Sequence, residues 1–260
     1  MLRRRVIACL DVAGGRVVKG TRFVDLTDEG DPADLAARYA AAGADELVLL
    51  DISAAPEARS TLLGLVERTA SRVFVPLTVG GGVRAVDEMR AVLRAGADKV
   101  ALNTAAVAEP TLVARCAARF GRQAVVVAID ARRLPEHGVG WQVVVRGGRT
   151  PTSLQAVKWA EQAVELGAGE LLVTSIDRDG TRSGYDVELL AAISRRVGVP
   201  VIASGGAAGP EHMVAAIRDG GADAVLAASM FHRGSHTIGE VKRALAAAGL
   251  PIRLPVEGAA

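Results

Sequence analysis

The chain has 260 residues, half of them apolar, with 31 basic against 29 acidic side chains. That length allows one large α/β domain or two small ones, each with an ample core. The near-neutral balance and the scatter of the basic residues exclude the electrostatic footprint of a nucleic-acid binder or a membrane-surface protein.

The opening "MLRRRVIACL" has the basic flank of an export signal, but Asp11 ends the apolar run far short of a signal or a membrane span. Cys9 and Cys116 lie in apolar surroundings without CxxC spacing, which predicts two buried thiols in a reducing compartment. A cytoplasmic location follows as an expectation. His232 and His236 have the spacing of two ligands on one helix face, yet no carboxylate or cysteine cluster accompanies them, so neither metal nor cofactor is predicted.

Taken in chain order, eight short β-rich runs are predicted as strands: Arg5–Asp11, Glu46–Asp51, Val73–Val79, Lys99–Asn103, Ala124–Asp130, Glu170–Ser175, Val199–Ser204 and Ala224–Ala228. Helical segments alternate with them. "DPADLAARYAAAGA", for example, carries an aspartate at its start and a glycine just past its end, as helix caps require. The linkers are short except after strands one and five, and no Pro/Ser-rich stretch divides the chain.

An internal repeat selects the architecture. "PLTVGGGVRAVDEMRAVLRAGADKVALNT" aligns with "PVIASGGAAGPEHMVAAIRDGGADAVLAAS", so that Gly82 pairs with Gly206 and Asp11 with Asp130. Two similar halves of four βα units, roughly residues 1–120 and 121–250, predict a single-domain (βα)8 TIM barrel over residues 1–260. No GxGxxG follows the first strand, which argues against an open doubly wound sheet.

In such a barrel, chemistry gathers at the C-terminal ends of the strands. Counting by twos, Arg5, Ile7, Cys9 and Asp11 share a face, so Asp11 points inward at the mouth, and Asp130 answers it in the second half. One such aspartate could simply cap a loop. Two at matched positions suit general acid and base work at opposite ends of a substrate.

Glycine-rich ends after strands three and seven (Gly80, Gly81, Gly82; Gly205, Gly206) bare backbone N–H groups, and small polar residues close strands four and eight: Asn103 and Thr104, then Ser229. An oxyanion such as phosphate needs such a lining, although glycine can also merely turn the chain. The duplication predicts a substrate phosphorylated at both ends. "TSIDRDGTRSGYD" puts Thr174, Asp177, Asp179, Gly180, Thr181 and Ser183 beside the second of these cradles.

At the other end of the barrel, Arg5, Glu46, Lys99 and Glu170 open four strands, and parity turns each of them inward. Singly, each reads as part of a solvated rim. Two of each sign can instead close a ring of ion pairs across the floor.

The stretches "ACLDVAGGRVVKG", "DELVLLDI", "PLTVGGGVR", "ADKVALNTAA", "VAIDARR", "GGRTPT", "TSIDRDGTRSGYD", "ASGGA" and "LAASMFH" together resemble the cyclase subunits of imidazole glycerol phosphate synthases of histidine biosynthesis, over essentially the whole length. The resemblance implies a lyase that takes a bis-phosphorylated ribulosyl-formimino aminoimidazole carboxamide ribonucleotide and ammonia. It releases imidazole glycerol phosphate and aminoimidazole carboxamide ribonucleotide. It also implies that Asp11 and Asp130 are the catalytic pair, that Gly82, Asn103 and Thr104 hold one phosphate, and that Asp179, Gly180, Gly206, Ala228 and Ser229 hold the other. Lys19 falls on a long loop after strand one that closes on substrate in that family.

By the same resemblance, Arg5, Glu46, Lys99 and Glu170 form the gate through which ammonia enters from a glutamine amidotransferase partner, giving a heterodimer. This chain offers no glutaminase nucleophile, since both cysteines lie inside barrel elements without a nucleophile elbow. It departs from the family pattern at Ala8 (commonly proline), Ala101 (serine) and Ser153 (glycine), none of them in the acid/base pair. Two other readings stay open: the sister sugar isomerase of the same pathway, whose strands usually read "AIDL" and "QVGGG", and a non-catalytic phosphosugar-binding subunit, which would lack an aspartate.

Overall fold

The computed structural model describes residues 2–21, 24–52, 58–134 and 140–255, without the side chains of residues 19–21, 24–28 and 58–60. Its first half runs β1 (Arg5–Ala13), β2 (Arg16–Thr21), β3 (Val24–Gly30), α1 (Pro32–Ala41), β4 (Glu46–Asp51), α2 (Ala58–Ala70), β5 (Leu77–Gly80), α3 (Val86–Arg94), β6 (Lys99–Leu102), α4 (Thr104–Ala108) and α5 (Thr111–Phe120). The second half runs β7 (Val125–Arg133), β8 (Trp141–Val145), β9 (Thr150–Gln155), α6 (Ala156–Glu165), β10 (Glu170–Ser175), α7 (Val187–Ser194), β11 (Val201–Ser204), α8 (Pro210–Arg218), β12 (Ala224–Ala227), α9 (Ser229–His232) and α10 (Ile238–Ala247).

Eight of the strands pair in parallel in the order β1-β4-β5-β6-β7-β10-β11-β12, and β12 returns to β1, so the sheet closes with helices around it. It is a (βα)8 barrel. Alternate residues divide the core into two shells. Ile7, Cys9, Val48, Ala101, Val126, Leu172, Ile202, Ala224 and Leu226 fill the interior. Their neighbours on the same strands, such as Val6, Ala8, Leu10, Leu47 and Leu49, pack outward in the continuous layer shared with the helices.

The third and seventh predicted strands begin later than the sequence suggests, at Leu77 and Val201. Pro76 and Pro200 precede them and have no N–H to give the ladder; their carbonyls accept from Leu47 and Leu171 instead. The first and fifth predicted strands run longer, to Ala13 and Arg133, because each is extended by a hairpin that the sequence reading treats as loop. β2–β3 continues β1 and β8–β9 continues β7, both antiparallel and at matched places in the two halves. The second hairpin is fastened where Trp141 Nε1 donates to Asp186 Oδ2 at 2.9 Å, while the Arg133 guanidinium lies 4.8 Å from the Trp141 ring centroid.

Three aspartates stand just ahead of strands at the barrel floor and grip the neighbouring strand by its backbone. Asp45 accepts from Val6 N at 2.8 Å, Asp98 from Leu77 N at 2.8 Å and Asp223 from Val201 N at 3.1 Å. Asp45 is in turn held by the buried Lys242 at 2.7 Å. At the fourth such place stands Gly169, where any Cβ would overlap the Arg122 carbonyl.

A candidate active site at the barrel mouth

Asp11 lies in β1 and Asp130 in β7, four strands apart whichever way one counts round the eight-stranded barrel. The two carboxylates therefore face each other across the mouth. Asp11 is buried and accepts from Cys9 Sγ at 3.5 Å. Asp130 Oδ2 accepts from Asn103 Nδ2 at 2.9 Å, so the carboxamide just past β6 sets the orientation of the catalytic candidate beside it. Thr174, on the other flank, pairs in register with Asp130 and Ser204.

The Asp130 carboxyl is pushed up to about 6, first by loss of water around it; the Asn103 bond opposes the rise and the nearby Asp179 charge adds to it. Asp130 keeps a partial opening to solvent, so water offsets part of that rise. The sign of the linkage is that of a raised carboxyl. Between the unfolded value near 3.8 and the folded value near 6, the unfolded chain ionises first and stability falls as pH rises. Asp130→Asn removes that cost, and with a discount for the opening it should be more stable than the parent by about 2 kcal/mol at pH 8, with no difference near pH 3.5. Urea unfolding at the two pH values checks it, and equal stability at pH 8 would refute the buried-carboxyl account.

The candidate phosphate residues fall into two opposed groups. Gly82 follows β5, with φ 66°, and Asn103 and Thr104 lie at the start of α4 beyond β6. Gly206 follows β11, with φ 100°, and Ala228 and Ser229 lie at the start of α9 beyond β12. Neither short helix has a side-chain cap at its first turn. Asp179 and Gly180 turn the chain after β10, Gly180 at φ 73°, and Thr181 and Ser183 bond to each other and to Arg178 within that turn. Those two hydroxyls thus serve the loop's own geometry. Gly206 has a packing reason as well, since a Cβ there would overlap the Gly184 carbonyl, so any substitution disturbs the loop before it disturbs a ligand. Lys19 lies in β2, but its side chain is outside the described residues.

At the floor, the four charged residues meet in a closed ring. Arg5 reaches Glu46 Oε1 at 2.7 Å and also bonds Glu170; Lys99 Nζ reaches Glu46 Oε2 at 3.1 Å and Glu170 Oε2 at 2.9 Å. Burial alone would lower the pKa of Arg5, but the Glu170 and Glu46 carboxylates hold it above its ordinary value.

His232 ends α9, so it does not share a helix face with His236, and its Nδ1 lies 2.6 Å from Tyr39 Oη. Among the described residues no group of three or more His, Cys, Asp or Glu could hold a metal ion, and no helix is long and apolar enough to cross a membrane. The residues that sequence reasoning missed are those holding the mouth in shape: Trp141, Asp186, Glu88 and His212.

A model of the histidine biosynthesis protein family matches residues 5–237. The chain is also 59% identical over 253 residues, 97% of its length and 99% of the other's, to a protein of Hyphomonas neptunium named imidazole glycerol phosphate synthase subunit HisF. Proteins of the same name from two strains of Dehalococcoides mccartyi are 58% identical over 254 residues, 98% of this chain and 99% of theirs.

Proposed function

The chain belongs to the histidine biosynthesis protein family, and from that premise we propose that it is the cyclase subunit of an imidazole glycerol phosphate synthase. It is a lyase that joins ammonia to the bis-phosphorylated ribulosyl-formimino aminoimidazole carboxamide ribonucleotide. Imidazole glycerol phosphate and aminoimidazole carboxamide ribonucleotide are released. The observation that carries the reading is the crossed arrangement at the mouth: one pair of opposed aspartates and, between them, two opposed glycine cradles.

In this mechanism the cradles stretch the substrate across the barrel by its two phosphates, so that its reacting middle lies between Asp11 and Asp130. Each aspartate moves protons at one side of that middle. Asp130, ionising near 6, is suited to both taking and giving a proton near neutrality. Asn103 holds it in one orientation. Lys19 closes over the bound substrate, and Thr174 lines the side nearer the second cradle.

The relatives are named as subunits, so the chain works with a partner. That partner is a glutamine amidotransferase docked at the floor, and the ring of Arg5, Glu46, Lys99 and Glu170 admits its ammonia. The need for delivery is chemical, because free ammonia is mostly protonated and non-nucleophilic at neutral pH. We further read residues 1–260 as one domain of two halves, about 1–120 and 121–250, supported by the matched hairpins and opposed aspartates. A cytoplasmic location accords with two buried cysteines that are not joined in a disulfide.

The deciding assay offers the ribulosyl substrate with an ammonium salt. Imidazole glycerol phosphate should form with the isolated chain, whereas glutamine should support the reaction only after the partner is added. No product with ammonium would refute the cyclase and favour the sister isomerase; glutamine hydrolysis by the isolated chain would refute the division of labour.

A further inference from the structure

The two glycine loops at the mouth are fastened by the same device in different chemistry. In the first half, Arg84 N donates to Glu88 Oε2 at 2.5 Å. In the second, Ala208 N donates to His212 Nδ1 at 3.2 Å. The offset that pairs Gly82 with Gly206 also pairs Arg84 with Ala208 and Glu88 with His212. Each acceptor sits in the first turn of its helix, α3 or α8, and reaches back to the loop that leads into it.

His212 has a second contact. A Cβ on Gly184 would come within 3.2 Å of His212 Cδ2, so the imidazole edge lies against that glycine, and Gly184 N donates to Gly206 O at 2.9 Å. One ring therefore braces both loops of the second cradle, the turn after β10 that carries Asp179 and Gly180 and the turn after β11 that carries Gly206. As the acceptor, His212 Nδ1 offers its lone pair to Ala208 N. Its Nε2 lies 3.8 Å from Glu211 Oε1 in the same helical turn.

We propose that His212 is a positioning residue for the second phosphate cradle and Glu88 its counterpart at the first, so that the two ends of the substrate are held by separately braced loops. The proposal rests on the reading that each cradle holds one phosphate.

The two products each carry one of the substrate's phosphates, and this makes the proposal testable. Calorimetric titration of the full chain with imidazole glycerol phosphate and, separately, with aminoimidazole carboxamide ribonucleotide reads each cradle alone. His212→Phe keeps a ring against Gly184 but removes the acceptor. It should raise Kd about fivefold to tenfold for one product, the scale of one lost hydrogen bond, and leave the other within about twofold. His212→Asn, which offers an oxygen near the place of Nδ1, should recover most of that loss. Glu88→Ala should weaken the other product. Equal weakening of both products by His212→Phe, no weakening of either, or no recovery in His212→Asn would overturn the proposal. Competition between the two products for one site on the parent protein would instead defeat the two-cradle reading beneath it, and the proposal with it.

Discussion

Asp11→Asn and Asp130→Asn are each expected to lower kcat with ammonia by about a hundredfold or more, the usual scale for losing a general acid or base. Asparagine preserves the shape of each side chain, and at position 130 it can keep the bond from Asn103, provided the new amide turns its oxygen toward that donor. It cannot exchange a proton near neutrality. Substrate KM should change much less than kcat, because neither carboxylate belongs to a cradle. The pH profile adds a signature: with Asp130 ionising near 6, kcat/KM of the parent should bend there. A rise through that pH makes Asp130 the base in the free enzyme, and a fall makes it the acid. Near-normal turnover in either variant would remove that aspartate from the mechanism.

The second large effect is expected at the floor. Lys99 is bonded to both carboxylates of the ring, so Lys99→Ala leaves Glu46 and Glu170, each less than a tenth exposed, to share Arg5 alone. Buried carboxylates left short of a partner rearrange or take up water. In the proposed complex, glutamine-dependent turnover should fall about tenfold or more, while turnover with added ammonium should stay within about threefold; a gain or loss of 1.4 kcal/mol in a barrier is a factor of ten. Equal falls in the two reactions would show that the ring supports the fold and does not control passage. Urea unfolding of the variant separates those cases.

How much of this was legible follows from which signals are local. The inward face of β1 could be read from Arg5 to Asp11 because parity needs only the strand itself, and the interior shell follows it. The repeat supplied the opposition of Asp11 and Asp130, since equivalent strands of two halves lie across a closed barrel from each other. The hairpins were hidden for a different reason. "RVVKGT" and "WQVVV" do carry short β-rich patterns, but each borders a run of Gly and Arg that also reads as loop, and the pairing partner is the end of the preceding barrel strand. His212 and Glu88 share no residue type, so aligning the halves marks the position without revealing the common role. Trp141 and Asp186 stand far apart in the sequence and meet only once β10 pairs with β7.

The three aspartates that grip neighbouring strands at the floor bear on how the mouth is kept in alignment. A slip of one residue between adjacent strands would exchange the interior shell with the helix-facing one, and the apolar pattern alone forbids that. A slip of two residues keeps the parity. The pattern is blind to it, yet it would carry a mouth residue roughly 7 Å along the barrel wall, enough to uncouple an aspartate from its opposite number. Asp45, Asp98 and Asp223 each recognise one particular N–H, those of Val6, Leu77 and Val201, so they detect slips of either kind. They work as phase markers: the spacing of groups at one end of the barrel is checked by carboxylates at the other. The β7–β10 seam, where Gly169 takes the fourth place, has no such marker and is held in phase by the long register from Glu170↔Val126 to Ser175↔Ala131, which includes Asp130 itself.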